Sequence, residues 1–247
     1  MSSKVALVTG GTGGIGTAIC QALAKQGCRV VANYYPAEKE AAEAWAEARK
    51  QEGVAISVAP GDVASFESCA ELVREVETTV GPIDILVNCA GITRDKTFRK
   101  MEPEAWRAVL STNLDSAFNV TKHVIEGMTG RGFGRVINIS SVNGQRGQFG
   151  QTNYSAAKAG LHGFTMALAQ EVAAKGVTVN TVSPGYVATP MTLAMRDDVR
   201  EAIVAQVPMR RMGEPEEIAF VVGMLCDPRA AYITGANIAV NGGLYMS

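Results

Sequence analysis

The sequence lacks an excess of charge of either sign. Its 247 residues include 23 lysines and arginines against 24 aspartates and glutamates, a formal net charge of −1. Proteins that bind nucleic acid depend on a basic surface, so this balance argues against nucleic acid as a partner. The hydrophobic fraction of 47% is too high for a disordered chain and is sufficient for a large buried core.

Cysteine is scarce and shows no spacing typical of a disulfide framework or a metal site. The five cysteines, at positions 20, 28, 69, 89 and 226, form an odd set without a Cys-x-x-Cys pair. This pattern is typical of reduced thiols in the cytoplasm. His123 and His162 lie 39 residues apart, with no acidic or cysteine cluster at ligand spacing. We therefore expect no metal site.

Long apolar runs are also missing. The run Val5–Val8 is followed at once by Thr9 and Gly10 and is too short for a signal peptide. The longest later run, residues 218–226, has nine residues, about half of what a membrane span needs. We therefore expect a cytoplasmic protein without membrane contact.

Strand-like and helix-like segments alternate along the chain. Short apolar runs predict strands at residues 4–8, 29–33, 55–59, 83–87, 135–139, 178–182 and 236–240. Helical periodicity predicts helices at residues 15–26, 37–52, 66–80, 104–128, 153–174 and 215–226. The alternation predicts an α/β fold of the Rossmann type, a doubly wound, seven-stranded parallel sheet with helices on both faces. We expect one domain over residues 1–247, in which a loop at about 184–213 carries a short helix and covers the substrate.

A glycine-rich turn follows the first predicted strand and opens the first predicted helix. Residues 9–16 read Thr-Gly-Gly-Thr-Gly-Gly-Ile-Gly. Glycines let the backbone approach a diphosphate closely, and the N-terminus of the following helix offers a positive end. Because a doubly wound sheet binds ligands beyond the carboxyl ends of its strands, the turn indicates a nucleotide site there.

Several motifs resemble those of the short-chain dehydrogenase/reductase family. Glycines 10, 14 and 16 give the family's GxxxGxG spacing, and Asp62-Val63 follows the third strand. Residues 88–91 read Asn-Cys-Ala-Gly, with Cys89 in place of the family's second asparagine. Pro184-Gly185 and Thr189 match its Pro-Gly-x-x-x-Thr motif, so the motifs cover nearly the whole chain in the usual order.

This resemblance implies a dehydrogenase that binds a nicotinamide dinucleotide along the edge of the sheet. The implied cofactor residues are Gly10, Thr12, Gly13, Gly14, Ile15, Gly16, Gly61, Asp62, Val63, Asn88, Ala90, Gly91, Ile92, Tyr154, Lys158, Pro184, Gly185, Val187 and Thr189.

Tyr154 and Lys158 are four residues apart, so they share one face of a predicted helix. A nearby ammonium stabilises a phenolate, and we expect Lys158 to lower the pKa of Tyr154 from its ordinary value of about 10. Ser141 precedes Tyr154 by thirteen residues, the spacing of the family's catalytic serine. The resemblance implies a catalytic tetrad of Asn113, Ser141, Tyr154 and Lys158. Its implied roles are a bound water at Asn113, orientation of the substrate carbonyl by Ser141 and proton donation by Tyr154.

The choice of cofactor depends on the end of the second strand. Enzymes that use NAD place a carboxylate there, where it binds the ribose 2′-hydroxyl and repels a 2′-phosphate. Residues 29–36 contain no acid, and Lys39 lies close behind. The sequence therefore favours NADPH, with Lys39 as the hypothetical partner of the 2′-phosphate; an ordinary solvated lysine is the alternative.

Within the family, the chain resembles the members that reduce acetoacetyl-CoA for polyhydroxybutyrate synthesis. The similarity is carried by residues 91–95, 118–121, 136–154, 163–171 and 183–186. It implies NADPH-dependent reduction of acetoacetyl-CoA, an acyl-CoA thioester, to (R)-3-hydroxybutyryl-CoA. The implied substrate residues are Asp95, Ser141, Gln148, Phe149, Gly150, Gln151, Gly185 and Tyr186.

Other functions stay open on the sequence. A 3-oxoacyl-[acyl-carrier-protein] reductase would meet its acidic carrier through basic residues, and Arg131 and Lys175 lie near where such relatives place them. A steroid or sugar dehydrogenase is a second alternative, and a non-catalytic NADP-binding sensor or scaffold on the same fold is a third. The resemblance also implies a homotetramer that pairs the helices predicted at residues 104–128 and 153–174.

Overall fold

The structure is a computed structural model that describes residues 4–246. Its strands are β1 (Val5–Val8), β2 (Arg29–Tyr34), β3 (Ser57–Pro60), β4 (Ile83–Asn88), β5 (Gly134–Ile139), β6 (Val177–Pro184) and β7 (Asn237–Val240). Its α-helices are α1 (Gly14–Lys25), α2 (Lys39–Gln51), α3 (Phe66–Thr79), α4 (Pro103–Leu110), α5 (Ser116–Arg131), α6 (Val142–Arg146), α7 (Thr152–Val172), α8 (Pro190–Leu193), α9 (Asp197–Gln206) and α10 (Pro215–Cys226).

Within residues 4–246 these strands form one seven-stranded sheet in the order β3-β2-β1-β4-β5-β6-β7. Every neighbouring pair is parallel. The predicted Rossmann-type fold is therefore confirmed. The strand order reverses between β1 and β4, which makes their carboxyl ends the switch point where such sheets bind ligands.

Side chains of the central strands alternate between two apolar cores, one on each face of the sheet. On β1, Ala6 and Val8 pack with α1 and α10, whereas Val5 and Leu7 pack with α3, α5 and α7. Because both faces are covered, β1 and β4 are buried along their whole length. The two cores hold the carboxyl edge of the sheet in place.

The helix predicted at residues 104–128 is interrupted. The structure has α4, then a π-helical turn (Ser111–Asp115), then α5. The loop predicted at 184–213 with a single short helix contains both α8 and α9. The short helix α6 was not predicted; its five residues are too few for a periodic signal.

Candidate active site

The switch point brings two glycine-containing loops into contact. Gly10, after β1, has φ +60°, and a Cβ added there would lie 2.9 Å from the Cα of Ala90, after β4. The hydroxyl of Thr9 accepts hydrogen bonds from the amides of Cys89 and Ala90, at 3.0 and 3.1 Å. The sequence motifs that follow β1 and β4 therefore lie side by side and form one surface.

The glycine turn has room for backbone and ligand but little for side chains. A Cβ on Gly11 would lie 2.6 Å from that of Ala32, and one on Gly16 would lie 2.3 Å from the carbonyl oxygen of Gly10. The N-cap of α1 is Gly13, which has no side chain to accept a hydrogen bond from the first amides of the helix. The first amides of α1 therefore fit a diphosphate, as the nicotinamide dinucleotide hypothesis requires.

The Pro184-Gly185 segment reaches the same turn from the other side. A Cβ on Gly14 would lie 2.9 Å from the Cβ of Thr189, so the segment after β6 closes over the start of α1. Thr189 is the N-cap of α8 and forms a capping box with Thr192. The structure therefore brings together the sequence motifs from strands 1, 4 and 6.

Some predicted cofactor residues make internal contacts. The side-chain Nδ2 of Asn88 donates to Asn138 Oδ1 at 2.8 Å and to Thr121 Oγ1 at 3.2 Å, inside the sheet. Asp62 accepts a hydrogen bond from the Ala64 amide at 3.0 Å, which fixes the turn after β3. We interpret Asn88 as a residue that supports the carboxyl edge of the sheet through hydrogen bonds to neighbouring buried side chains.

Lys39 is the first residue of α2, close to the end of β2. Its ammonium lies 3.8 Å from the carboxylate of Glu43, and 68% of its side chain is exposed. The carboxyl end of β2 itself carries Asn33 and Tyr34. Lys39 is thus accessible at the rim of the predicted adenosine site and weakly paired there.

Three members of the predicted tetrad meet at the end of β5. Ser141 lies two residues after β5 and is the N-cap of α6. Its Oγ accepts a hydrogen bond from the backbone amide of Asn143 at 3.1 Å. It also hydrogen-bonds Tyr154 on α7. The Lys158 ammonium lies 5.7 Å from the centre of the Tyr154 ring and donates to the Ile139 carbonyl at 2.8 Å.

The expectation that Lys158 lowers the pKa of Tyr154 is wrong for this structure. Loss of solvation raises the pKa of Tyr154 to about 12, against an opposing contribution from the Ser141 hydrogen bond. The Lys158 ammonium is directed at Ile139 and is itself buried, which lowers its pKa to about 8. Tyr154 is therefore held protonated, as a proton donor must be.

Asn113, the fourth member, lies in the π-helical turn and anchors the loop after β4. Its Nδ2 donates to the carbonyls of Ile92 and Val109, both at 2.9 Å, and its Oδ1 accepts from the Ile92 amide at 3.2 Å. A Cβ on Gly91 would lie 2.5 Å from Asn113 Oδ1 and 3.6 Å from the Lys158 ammonium. Gly91 therefore marks the point where Asn113 and Lys158 come together.

The predicted substrate residues form a strip between two loops. Gln151 donates to the carboxylate of Asp95 at 2.7 Å, and Gly150 accepts from the Lys96 amide at 2.9 Å. Phe149 is 87% exposed beside them. Gln151 also accepts from Asn143 at 2.9 Å, so its amide orientation is fixed and its remaining N–H is available to a ligand.

Tyr186 lies elsewhere, in the segment between β6 and α8. It lines a cavity of about 330 Å³ together with Val207, Met209 and Asn241. Gly185 packs against Asn241, since a Cβ there would lie 2.8 Å from the Asn241 Cα. Tyr186 therefore lies within the segment 184–213, which is expected to cover the substrate.

Sequence reasoning missed two residues at the site, of which Asn143 contacts Ser141 of the tetrad and His162 contacts its neighbour Ser140. Asn143 follows Ser141 by two positions, and a serine N-cap at Ser141 would have been the signal for α6. His162 follows Lys158 by four positions on α7, and its Nε2 lies 2.9 Å from Ser140 Oγ. Its spacing from Tyr154 and Lys158 was the available signal.

Within residues 4–246, no cluster of three or more His, Cys, Asp and Glu side chains could hold a metal ion. No helix in that part of the chain has the length and hydrophobicity to cross a membrane.

The fold and this arrangement of side chains define a nicotinamide-dependent dehydrogenase of the short-chain type. The sequence profile of the family described as short chain dehydrogenase matches residues 4–200. The chain therefore belongs to the short-chain dehydrogenase family.

Individual relatives match over their full length. The acetoacetyl-CoA reductase of Allochromatium vinosum is 66% identical over 244 residues, 99% of each chain. That of Cupriavidus necator is 58% identical over 246 residues, 100% of each chain. A 3-oxoacyl-[acyl-carrier-protein] reductase of Pseudomonas aeruginosa is 47% identical over 247 residues, 100% of this chain and 99% of its own.

Proposed function

We propose that this protein is an NADPH-dependent reductase that converts acetoacetyl-CoA to (R)-3-hydroxybutyryl-CoA and feeds polyhydroxybutyrate synthesis. The observation that carries the proposal is the meeting of Ser141, Tyr154 and Lys158 beside the glycine-lined edge of the sheet. The higher identity to acetoacetyl-CoA reductases than to the carrier-protein reductase supports the substrate.

The side chains would divide the work as follows. When bound, the nicotinamide supplies hydride to the carbonyl carbon. Ser141 donates a hydrogen bond to the carbonyl oxygen and orients it, and Tyr154 gives that oxygen its proton. The resulting phenolate regains its proton from solvent, and the Lys158 ammonium and a water held by Asn113 would relay that proton.

The chemistry of the loop after α6 suits a CoA thioester. Gln151 keeps one amide N–H free for a carbonyl of the pantetheine arm, and the exposed ring of Phe149 offers an apolar wall to a short acyl chain. Arg131, a candidate contact for an acidic carrier protein, instead donates to the Ile83 carbonyl at 2.5 Å and lies 3.9 Å from Asp84. The contacts of Gln151 and Arg131 support the CoA thioester, whereas Lys175, the other basic candidate, is exposed.

The decisive experiment is to measure initial rates of NADPH and NADH oxidation with acetoacetyl-CoA and, separately, with an acetoacetyl-carrier-protein thioester. We expect turnover with NADPH and the CoA ester. Turnover with the carrier-protein thioester alone would assign the enzyme to fatty-acid synthesis. NADPH binding without turnover of either thioester would favour a different substrate or a non-catalytic sensor.

The proposal of NADPH predicts a selective effect of Lys39→Ala. Loss of one exposed charged contact to the 2′-phosphate should raise KM for NADPH by about tenfold. The KM for NADH, which has no such phosphate, should be unchanged. Steady-state kinetics with both cofactors measures the difference.

Lys50→Ala is a matched control for that variant. Lys50 lies at the other end of α2, is 73% exposed and pairs with Glu47 at the same 3.8 Å distance. It should leave both KM values unchanged. An equal rise for NADPH and NADH in Lys39→Ala would rule out contact between Lys39 and the phosphate.

The proposed reaction also predicts a pH dependence. Burial lowers the pKa of Lys158 to about 8, so the ammonium is present below that pH and is lost above it. Tyr154, with a pKa near 12, stays protonated over the same range. We expect kcat for reduction to fall as the pH rises through about 8. A kcat that stays constant from pH 7 to about 9.5 would contradict a role for the Lys158 charge.

We further propose a homotetramer in the cytoplasm. Large apolar side chains on the outer faces of α5 and α7 support the assembly: Phe118 is 52% exposed and Met166 53% exposed. All five cysteines are free thiols within the described part of the chain, which supports a reducing compartment.

A further inference from the structure

The catalytic helix carries a third polar side chain in line with the tetrad. Tyr154, Lys158 and His162 follow one another at four-residue intervals on α7, so they lie along one face. His162 is half-buried, and its Nε2 lies 2.9 Å from Ser140 Oγ and 3.4 Å from Ser183 Oγ. The mechanism proposed above does not use this imidazole.

The hydrogen bonds determine which nitrogen of His162 carries a proton. Ser140 donates its hydroxyl proton to the Lys158 carbonyl at 2.8 Å, and Ser183 donates to Asn237 Oδ1 at 2.7 Å. Each hydroxyl has a single proton, so toward His162 both oxygens can only accept. Nε2 must therefore be the protonated nitrogen, donating chiefly to Ser140. Burial lowers the pKa of His162, which favours the neutral form of this tautomer.

The two serines stand directly before the segments that the reaction uses. Ser140 precedes Ser141 and holds the backbone of α7 at Lys158, and it is 3% exposed. Ser183, fully buried, precedes Pro184-Gly185, the segment expected at the nicotinamide. One imidazole thus connects the catalytic helix with the ends of β5 and β6.

We propose that His162 is a positioning residue, whose Nε2–H holds Ser140 and Ser183 so that Ser141, Lys158 and the Pro184-Gly185 segment keep their relative places. This role rests on the proposed reductase function. It requires a hydrogen-bond donor at the position of Nε2, and a side chain that merely fills the space does not suffice.

The test compares His162→Leu with His162→Gln, because the glutamine amide can donate where the imidazole Nε2–H does. Loss of one hydrogen bond corresponds to about a fivefold change. For His162→Leu we expect kcat about fivefold lower, KM for acetoacetyl-CoA unchanged, and the Kd for NADPH, from nicotinamide fluorescence, about fivefold higher. His162→Gln should restore both values.

Two outcomes would overturn the proposal. One is a lower Tm for His162→Leu with kcat and the NADPH Kd unchanged, which describes packing alone. The other is a glutamine variant as impaired as the leucine variant. His123→Leu is the control, since His123 contacts Phe66 between α3 and α5 and should leave kcat and Kd unchanged. If wild-type protein binds NADPH but does not reduce acetoacetyl-CoA, the proposed function fails, and the Kd comparison still decides the role of His162.

Discussion

We expect Tyr154→Phe to lower kcat for acetoacetyl-CoA reduction by about 10³-fold, the contribution typical of a general acid. The substitution removes one oxygen and with it the proton that the carbonyl oxygen receives. The phenyl ring keeps the shape of the site, so the Kd for NADPH should stay unchanged. Initial-rate kinetics and a fluorescence titration of NADPH measure the two quantities on the same preparation.

Tyr232→Phe is the matched control for this substitution. Its side chain is completely exposed at the far end of the fold, before β7. Tyr232→Phe also removes a phenolic hydroxyl, and this variant should keep full activity. A Tyr154→Phe enzyme that retained more than a tenth of the wild-type rate would exclude Tyr154 as the proton donor.

The second large effect should come from Asn113→Leu and be visible in stability. The Asn113 side chain is 2% exposed, and leucine would leave the amide and carbonyl of Ile92 and the carbonyl of Val109 without their present partner. We expect the free energy of unfolding to fall by about 3 kcal/mol. For a chain of this length that corresponds to a Tm about 6–12 °C lower.

Asp115→Asn provides the comparison within the same π-helical turn. Asp115 is exposed, so this variant should change Tm by no more than about 1–2 °C. Calorimetry on both variants, with and without NADPH, measures the difference. Equal Tm values for Asn113→Leu and the wild type would show that the loop after β4 does not depend on this asparagine.

Most of the fold could be predicted from the sequence because strand and helix patterns have different periods. The largely apolar runs at Ile83–Asn88 and Gly134–Ile139 mark strands buried on both faces. The first helix, predicted to end at residue 26, ends at Lys25, and Gly27 follows it with φ +88°. The short helix α6 was missed because five residues span little more than one helical turn and cannot show a repeat.

The interruption of the helix at Ser111–Asp115 had no signal of this kind. Each residue in the turn is compatible with an α-helix, and Asn113 within it bonds to Ile92, more than twenty positions away. Local propensity cannot report such a contact. The same limit applies to Asn143, whose partner Gln151 belongs to the next loop.

The acidity of Tyr154 could not be derived from spacing either. Four-residue spacing correctly placed Lys158 on the same helix face, but it does not say where a flexible ammonium points. In the structure that ammonium binds the Ile139 carbonyl, and burial determines the pKa of both groups. Spacing along a helix permits such coupling, and the side-chain rotamer decides its size.

The π-helical turn has a consequence for how this chain can change in length. In an α-helix each residue advances by about 100°, so removing one residue from Ser111–Asp115 would make the helix more regular while turning Asn113 away from Ile92. Substitutions on the exposed side of this turn are tolerable, whereas a one-residue deletion would detach the loop after β4. Variation by insertion and deletion should therefore be confined to surface loops, and the register of this turn should be kept.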